Sequence, residues 1–236
     1  MRDTKTASFL IVNYKSVEDI TRLVSEIRNN FSFPYEVLVF DNSNDFECSL
    51  KNIKVYKTDK NVGFGNAVDF ISTKATYDYL FILNPDIHII HNLDEVLKKF
   101  IKLPIEYAVF SLNKAEKIYK TPFLGRIIDT NLRFSSNSFV IYKEYFKIVG
   151  GFNPNYFMYF EDNDFALKLG KFGLKTYFPS QNYVIHNKNY SFKQGLKRKK
   201  WYYQSFLYYL KHNFKLRYFI FYIPLKLMLY VSKIFK

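Results

Sequence analysis

The chain has 236 residues, 48% of them apolar and 20% aromatic, which suits one substantial domain with a sizeable core plus an appendage. Its only cysteine, Cys48, excludes an intrachain disulfide and favours a reducing, cytosolic compartment. The net charge of +14 is uneven, because residues 1–164 hold 20 Lys/Arg and all 21 Asp/Glu whereas residues 165–236 hold 15 Lys/Arg and no acid. A near-neutral domain with a strongly cationic end is therefore expected, and its charge points to a polyanionic surface, either lipid or nucleic acid.

The first half of the chain alternates strand-like and helix-like segments, a pattern typical of an α/β sheet. Short apolar runs predict buried strands, and apolar residues at helical spacing predict the helices between them. The predicted strands are Phe9–Val12, Val37–Phe40, Ile53–Tyr56 and Tyr79–Leu83. The predicted helices follow Ser16 as an N-cap, cover Ala67–Thr73, and follow Asn92 as a cap over Leu93–Ile101.

The second half is less regular, and residues 113–134 match no pattern. A turn cluster covers Gly150–Pro154. A helix is predicted to begin near Asp162 and to end at Gly173. The predicted strands here are Tyr107–Leu112, Ser138–Tyr142, Lys175–Phe178 and Tyr183–Ile185.

The C-terminal segment, residues 196–236, mixes aromatic residues with Lys and Arg. Its most apolar part, Tyr218–Ser232, is interrupted by Pro224 and Lys226, whereas a membrane-spanning helix needs ~20 apolar residues. Such a segment can lie in the membrane interface, with its aromatic rings at headgroup level and its cations toward anionic lipid. The alternative interpretation is a helical hairpin packed on the domain. The two interpretations are compatible if one face of the segment packs on the domain and the other contacts lipid.

Two acids, Asp41 and Asp86, stand where predicted strands end. In an open parallel sheet, ligands bind outside the carboxyl ends of the strands. A nucleotide diphosphate needs a divalent cation, and hard cations prefer carboxylate oxygen. Ordinary turns are the alternative interpretation of Asp41-Asn42-Ser43 and Asn84-Pro85-Asp86, since these residues are strong turn formers.

A third acidic cluster is Glu161-Asp162-Asn163-Asp164, at the start of a predicted helix. The helix dipole alone favours acids at such a position. The functional interpretation is a general base, because a carboxylate within hydrogen-bond reach can take the proton of an attacking sugar hydroxyl. Neighbouring acids raise one another's pKa, which helps a base to work near neutral pH.

Two further features have a structural and a functional interpretation. Gly63 and Gly65 match the start of the dinucleotide-binding pattern G-x-G-x-x-G, but Val68 occupies the third glycine position, so that pattern is not supported. His186 follows a predicted strand and is usually a structural histidine in such a place. Near a carboxylate-bound metal it becomes a nitrogen ligand, which would favour Mn²⁺ over Ca²⁺.

Five segments, taken in order, resemble a known family. They are Ile11–Ser16, Val39–Ser43, Asn61–Ala67, Leu83–Asp86, and the block formed by Gly150–Pro154 and Tyr156–Asp164. Together they resemble glycosyltransferase family 2, especially its bacterial rhamnosyltransferase-like branch, over roughly residues 7–192. Each segment is weak by itself, but five in the right order are specific.

The resemblance implies a GT-A-like fold, an α/β architecture with a mixed, mostly parallel sheet flanked by helices. The expected organisation is a glycosyltransferase domain over residues 1–192, followed by a basic, aromatic, helical and membrane-associating tail over residues 193–236. The short polar N-terminus has no apolar stretch of signal-peptide length. A peripheral protein on the cytoplasmic side of the bacterial inner membrane is therefore expected.

The resemblance also assigns roles to single residues. Asp162 would be the catalytic base, Asp86 and His186 would hold Mg²⁺ or Mn²⁺, and Asp41 would contact the nucleotide base. The expected nucleotide-binding residues are Asn13, Tyr14, Asp41, Asn61, Gly63, Phe64, Asn66 and Asn84.

The sequence departs from the family pattern in two places. Asn84-Pro85-Asp86 has one acid where the family's D-x-D motif has two, which allows a weak metal dependence. Residues 135–138 are Ser-Ser-Asn-Ser where family members often have glycine and a small residue. Arg126 and Arg133 are cations that could reach the diphosphate, although surface solvation accounts for either.

The expected function is inverting transfer of a sugar from a nucleotide donor, dTDP or UDP, to a glycan or glycolipid acceptor in bacterial surface polysaccharide synthesis. A rhamnose-type donor is favoured, with a UDP-hexose or UDP-galactofuranose transferase as the alternative. The more distant alternatives are a non-catalytic membrane scaffold and a nucleic-acid binder that uses Lys197–Lys200 and Trp201–Tyr203. Nucleic acid is not an expected partner, because that interpretation leaves Asp86 and Asp162 without a role.

Overall fold

A computed structural model describes residues 5–48, 50–115, 138–186, 195–214 and 222. The strands are β1 (Ala7–Asn13), β2 (Tyr35–Asp41), β3 (Ile53–Lys57), β4 (Tyr79–Leu83), β5 (Ile87–Ile89), β6 (Tyr107–Ser111), β7 (Ser138–Tyr142), β8 (Lys175–Tyr177) and β9 (Val184–His186). The helices are α1 (Val17–Asn30), α2 (Phe64–Lys74), α3 (Leu93–Lys102), α4 (Lys143–Val149), α5 (Glu161–Lys171) and α6 (Gly195–Asn213).

Seven strands form one mixed sheet in the order β3-β2-β1-β4-β7-β6-β8. The neighbours among β3, β2, β1 and β4 run parallel, β7 runs antiparallel to both β4 and β6, and β8 runs parallel to β6. A second, two-stranded antiparallel sheet pairs β5 with β9. The predicted α/β architecture, a mixed and mostly parallel sheet flanked by helices, is confirmed.

The sheet separates two apolar layers because successive side chains of a strand point to opposite faces. In β1, Phe9 and Ile11 pack into the layer covered by α1 and α3, and Leu10 and Val12 pack into the layer covered by α2, α4 and α5. Both faces of the central strands are therefore buried, which explains their continuous apolar sequences.

Most predicted elements lie where the sequence placed them, and Asn92 caps α3 as predicted, its side chain accepting a hydrogen bond from the Asp94 N–H at 2.7 Å. Ser16 is the N-cap residue of α1, as predicted, but its side chain makes no capping hydrogen bond. Its hydroxyl donates to the carbonyl of Tyr14 at 3.2 Å, while the Ser16 N–H donates to Oδ1 of Asn13 at 3.0 Å. The tight turn after β1 turns the hydroxyl back toward its own loop.

Two elements were not predicted from the sequence. β5 has three residues, which is too short for a period-2 pattern. Helix α4 begins directly after β7 at Lys143, and its N-cap, Tyr142, makes no side-chain capping hydrogen bond. Neither element therefore carries the local start signals that sequence reasoning uses.

The described part of the C-terminal segment is the 19-residue helix α6, which agrees with the helical prediction for this region. The inner face of α6 forms a third apolar cluster with residues of the segment before α5, namely Tyr156, Phe160, Phe206, Tyr209 and Leu210. Among the described residues, no helix combines the length and the apolar character required to cross a membrane. Apart from Phe214 and Tyr222, the remainder of the predicted tail lies outside the described residues, as do residues 116–134 of the unassigned stretch.

Candidate active site at the sheet edge

The loops that carry the first predicted site residues leave the same edge of the sheet. Asn13 and Asp41 are register partners at the ends of β1 and β2, and Leu83 at the end of β4 pairs with Ile11 of β1. Adjacent strands lie about 4.8 Å apart, so the loops after β1, β2 and β4 are neighbours. The structure thus places the Asp41 and Asp86 loops on one side of the sheet, where ligands bind in open α/β folds.

Asp41 is fully buried and organises the loop that follows β2. Its Oδ1 accepts hydrogen bonds from Nδ2 of Asn13 at 2.8 Å and from the Ser43 N–H at 3.1 Å, and its Oδ2 accepts one from the Phe46 N–H at 2.8 Å. Burial alone would raise the pKa of Asp41, but these hydrogen bonds hold that pKa below its ordinary value. The carboxylate is therefore ionised near neutral pH, and a direct contact with a nucleotide base stays a prediction.

Asn42, which sequence reasoning treated only as a turn residue, joins this loop to the glycine loop, residues Asn61–Asn66. Its Nδ2 donates to the carbonyl of Gly63 at 3.3 Å, and its Oδ1 accepts from the Val62 N–H at 3.0 Å. The predicted nucleotide-binding residues Asn61 and Asn66 also shape the loop. Asn61 accepts from the Gly63 N–H at 2.8 Å, and Asn66 donates to the carbonyl of Val62 at 2.9 Å.

Gly63 has two reasons to be glycine. Its φ of +88° is a conformation that L side chains rarely adopt, and a Cβ at this position would lie 2.3 Å from the carbonyl oxygen of Phe157. At Gly65, a Cβ would lie 3.0 Å from Cβ of Phe152 and 3.8 Å from Cβ of Glu161. The glycine loop therefore packs directly against the segment that leads to Asp162.

Tyr14 and Phe64, the two aromatic residues among the predicted nucleotide-binding set, differ in exposure. The Tyr14 side chain is 45% exposed after β1, with Nζ of Lys15 at 5.9 Å from its ring centroid. Phe64 is partly buried, and its ring lies 5.9 Å from that of Phe152. Tyr14 is therefore the better placed of the two to stack on a ligand.

Asp86 and His186, the predicted metal ligands, lie side by side. Nε2 of His186 is 3.1 Å from Oδ2 of Asp86, because the pairing of β5 with β9 places His186 opposite Ile87. Oδ1 of Asp86 is buried and has no hydrogen-bond partner among the residues that the structure describes. Burial raises the pKa of Asp86, whereas the positive charge of a protonated His186 lowers it. Asn84, partly buried, accepts a backbone hydrogen bond from Ile87 at 3.4 Å and closes the turn between β4 and β5.

Arg22 of α1, which sequence reasoning missed, stabilises the turn between β4 and β5 that carries Asp86. Its guanidinium donates to the carbonyl oxygens of Pro85 at 2.9 Å and Ile87 at 2.8 Å, on either side of Asp86. Glu26, one turn later on α1, pairs with Arg22 at 2.8 Å and accepts from the Ile89 N–H at 2.8 Å. No local pattern marks Arg22, because a charged residue on the polar face of an amphipathic helix normally only contacts solvent.

The described residues fit a divalent cation that also binds substrate phosphates. They contain no group of three His, Cys, Asp or Glu that could hold a metal, so Asp86 and His186 are a two-residue donor set. Mg²⁺ and Mn²⁺ sites in nucleotide-using enzymes have few protein ligands and take the rest from phosphate and water. The unsatisfied, buried Oδ1 of Asp86 is the kind of atom that such a cation would satisfy.

Asp162 lies in the first turn of α5 and is partly exposed. Its Oδ1 accepts from the Asn163 N–H at 2.8 Å. Glu161 is buried, and burial together with the charge of Asp162 raises its pKa. Asp164 is also buried and accepts from Nδ2 of Asn213 at 2.8 Å. Of these three acids, Asp162 is thus the one exposed enough to meet a substrate hydroxyl.

Some residues singled out in the sequence lie outside the described part of the chain, namely Arg126, Arg133 and residues 135–137. Ser138, the last residue of the Ser-Ser-Asn-Ser stretch, is described and buried. It pairs with Leu83 in register, and its hydroxyl accepts from Nδ2 of Asn113 at 3.0 Å. This position therefore lies at the same sheet edge as Asn84 and Asp86.

Comparisons with known proteins identify the family and the fold. The model of a family described as glycosyl transferase family 2 matches residues 8–163. No match was found among curated proteins.

Three solved structures share the fold at low sequence identity. GalNAc-T7 with UDP, GalNAc and Mn²⁺ aligns with a TM-score of 0.63 at 14% identity, covering 89% of this chain and 48% of that one. S. aureus TarS 1–349 aligns at 0.58 and 16% identity, covering 86% and 63%. A mannosyltransferase from Pyrobaculum calidifontis in complex with GDP-Man and Mn²⁺ aligns at 0.56 and 15%, covering 73% and 54%. This chain therefore spans about half to two thirds of the length of these structures, and it has their GT-A-like fold.

Proposed function

This chain belongs to glycosyl transferase family 2, a family of glycosyltransferases, and we propose that it moves a sugar from a nucleotide-diphosphate donor to a glycan acceptor with inversion at the anomeric carbon. The observation that carries the proposal is the Asp86–His186 pair at the carboxyl edge of the sheet. Oδ1 of Asp86 is buried there and has no hydrogen-bond partner among the described residues. Among the structurally similar proteins, two complexes contain a nucleotide or nucleotide sugar together with Mn²⁺. A donor diphosphate with a divalent cation is the ligand that this donor set suits.

The nucleotide half of the donor belongs beside Tyr14, the Asp41 loop and the glycine loop. Tyr14 offers an exposed ring for stacking on the base. Asp41 and Asn42 hold the loops after β2 and β3 in fixed positions through Ser43, Phe46 and Gly63. Rigid loops reduce the ordering that ligand binding requires. We favour a dTDP donor carrying a rhamnose-type sugar, with UDP-hexose or UDP-galactofuranose as the alternative.

Asp162 is the proposed general base of a single displacement. Its carboxylate takes the proton of an acceptor hydroxyl while that oxygen bonds to the anomeric carbon and the bond from that carbon to the diphosphate breaks. The partial exposure of Asp162, between the buried Glu161 and Asp164, supports this assignment. An oxocarbenium-like transition state is expected, as in other glycosyl chemistry.

Asp86 and His186 would hold Mg²⁺ or Mn²⁺. When bound, the cation neutralises charge on the leaving diphosphate. Other parts of the chain position these two ligands. Arg22 fixes the backbone on both sides of Asp86, and the pairing of β5 with β9 orients His186.

The proposed acceptor is lipid-linked, and the protein acts in bacterial surface polysaccharide synthesis as a peripheral protein on the cytoplasmic side of the inner membrane. Helix α6 supports this, because Lys199, Lys200 and Lys211 are exposed whereas Phe206 and Tyr209 are buried against the domain. A helix with one packed face and one cationic face can meet anionic lipid without losing its contacts to the domain.

Membrane binding is tested by sedimentation with vesicles. We expect wild-type protein to sediment with phosphatidylglycerol vesicles and not with phosphatidylcholine vesicles. Lys199→Glu/Lys200→Glu should weaken sedimentation, and Lys51→Glu/Lys60→Glu, the same charge change at exposed positions elsewhere, should not. Equal binding by both variants would contradict a role of α6, and preference for an oligonucleotide over anionic vesicles would favour a nucleic-acid partner.

The donor is tested by thermal unfolding with UDP, dTDP and GDP, each with and without Mn²⁺. A ligand that binds the folded state raises its stability, so stabilisation by one nucleotide that depends on Mn²⁺ identifies the donor class. Transfer from the matching nucleotide sugar then establishes the activity. If none of the three nucleotides stabilises the protein, the proposal is contradicted and a non-catalytic scaffold is favoured.

A further inference from the structure

Two consecutive residues before the proposed base have a strained backbone. Tyr159 has φ of 71° and Phe160 has φ of 67°, and Glu161-Asp162 follow immediately. A left-handed conformation is unfavourable for a residue with a Cβ, because the Cβ comes too close to the following carbonyl oxygen. Such residues keep this conformation only where surrounding contacts hold them, so the contacts of this turn decide where α5 begins.

Helix α6 supplies a socket for the ring of Phe160. The ring centroids of Tyr202, Phe206 and Tyr209, all on α6, lie 5.2, 5.4 and 5.4 Å from that of Phe160. Phe160 is 7% exposed, and Tyr209 is completely buried. Aromatic contacts of this kind stabilise beyond the burial of apolar area, and three of them oppose the strain of the turn.

Polar contacts from α6 reach both sides of Asp162. Before it, Oγ of Ser205 donates to the carbonyl of Met158 at 2.7 Å, and Nε of Arg198 donates to the hydroxyl of Tyr159 at 2.8 Å. After it, Nδ2 of Asn213 donates to Oδ1 of Asp164 at 2.8 Å. The first turn of α5 is therefore attached to α6 along most of the length of that helix.

The other side of the same segment faces the glycine loop. The carbonyl oxygen of Phe157 lies where a side chain on Gly63 would be, while the ring of Phe157 packs against Trp201 of α6 at 5.0 Å. The segment Tyr156–Phe160 is thus enclosed between the proposed donor site and α6. Helix α6 itself lies beyond the residues 8–163 that match the family model.

We propose that α6 is a positioning element for catalysis: its aromatic socket and its hydrogen bonds hold the strained turn at Tyr159–Phe160 and thereby aim Asp162 at the acceptor. This deepens the proposed function and rests on Asp162 as the base. Tyr209 and Asn213 act through the turn and through α5, and they need not touch the substrate. Loss of either should reduce the chemical step more than donor binding.

The kinetic test uses Tyr209→Ala, with Tyr209→Phe as the conservative variant and Gln204→Ala as the control on the exposed face of α6. We expect kcat of Tyr209→Ala to fall on the order of 100-fold with an unchanged donor KM, because small misplacements of catalytic groups have effects of that size. Tyr209→Phe and Gln204→Ala should retain wild-type kcat. Asn213→Ala, which removes the hydrogen bonds from Nδ2 to Asp164 and to the carbonyl of Tyr209 and leaves the core intact, should lower kcat by about 10-fold.

Hydrogen exchange of the peptide covering residues 156–166 tests the coupling without any substrate. We expect faster exchange there in Tyr209→Ala and Asn213→Ala, and unchanged exchange in β1 and β2. Unchanged kcat and exchange in both variants would overturn the inference, and so would a parallel loss of donor binding, which indicates a general loss of the fold. If wild-type protein transfers no sugar, the proposed function fails, whereas the exchange result still reports whether α6 holds the turn.

Discussion

Nε2 of His186 lies 3.1 Å from Oδ2 of Asp86, although the two residues are 100 positions apart in the chain. The contact depends on the short β5–β9 ladder, which joins the turn after the central strand β4 to a strand near the end of the described domain. It brings a nitrogen and a carboxylate donor together at the edge where strand ends meet.

His186→Ala should raise the Mn²⁺ concentration needed for activity by about 10–100-fold, the size of effect seen when a metal site loses an orienting or ligating partner. The measurement is a Mn²⁺ titration of sugar transfer, repeated for nucleotide-dependent thermal stabilisation. His91→Ala is the control, since His91 is exposed and lies near β5 outside the pair. An unchanged Mn²⁺ requirement in His186→Ala would remove His186 from the proposed site.

Arg22→Met should lower the free energy of unfolding by about 1.5–3 kcal/mol, because two backbone carbonyl groups around Asp86 lose a charged donor. It should also weaken the response to Mn²⁺, since the turn that carries Asp86 loosens. Urea unfolding and a Mn²⁺ titration measure the two effects. Arg28→Met removes an exposed arginine from the same helix and should change neither. If both variants behave alike, Arg22 does not hold the turn.

Asp162→Asn should lower kcat by about 10²–10⁴-fold, the contribution typical of a general base, and leave donor affinity unchanged. The shape of the side chain is retained, so the fold at the start of α5 should persist. Transfer rates and nucleotide-dependent stabilisation measure the two properties. Asp59→Asn, at an exposed acid away from the site, is the matched control. Equal rates for Asp162→Asn and wild type would remove the assignment of the base.

Asp69 should make the protein less stable as pH rises. Burial raises the pKa of Asp69 to about 6 from an ordinary value of 3.8, against a hydrogen bond from the Phe152 N–H at 2.9 Å. Between these values Asp69 binds more protons in the folded state than in the unfolded state, so its contribution to stability is most favourable below pH 3.8 and declines until the pH passes about 6.

Asp69→Asn keeps an oxygen for the Phe152 N–H and cannot ionise. We expect it to be about 1–3 kcal/mol more stable than wild type at pH 7.5, with the difference vanishing near pH 4. Urea unfolding at several pH values measures this, with Asp59→Asn as the exposed control. A wild-type stability that does not fall between pH 4 and 7 relative to Asp69→Asn would show that Asp69 is not protonated in the folded state.

Gly63→Ala and Gly150→Ala form a matched pair, because both glycines have a positive φ, +88° and +81°. Within the described residues, only Gly63 has an atom where the new Cβ would be. Gly150→Ala should lower stability by about 1–2 kcal/mol from backbone strain alone. Gly63→Ala should lose more and should also weaken nucleotide binding, because the carbonyl of Phe157 must move. Equal effects of the two changes would contradict the close packing of the glycine loop.

The sequence by itself determined the order of most strands and helices, all but the short strand β5 and the helix α4, and the positions of three acids at element ends. The local reasons were sufficient: β1, β2 and β4 have apolar runs buried on both faces, α3 has a capping Asn92, and Gly173 follows α5 with φ of 69°. Each of these signals is a property of a few neighbouring residues, which is why periodicity and capping rules recovered them.

Only the tertiary structure decided which residues meet. The pairing of Asp86 with His186, the hold of Arg22 on Pro85 and Ile87, and the packing of α6 on Tyr159–Phe160 all join distant parts of the chain. It also decided that Asp41 is buried and hydrogen-bonded while Asp162 is partly exposed, although both are acids at the end of an element. The physical reason is that burial and pKa depend on which atoms surround a carboxylate, and those atoms come from segments that no local pattern links.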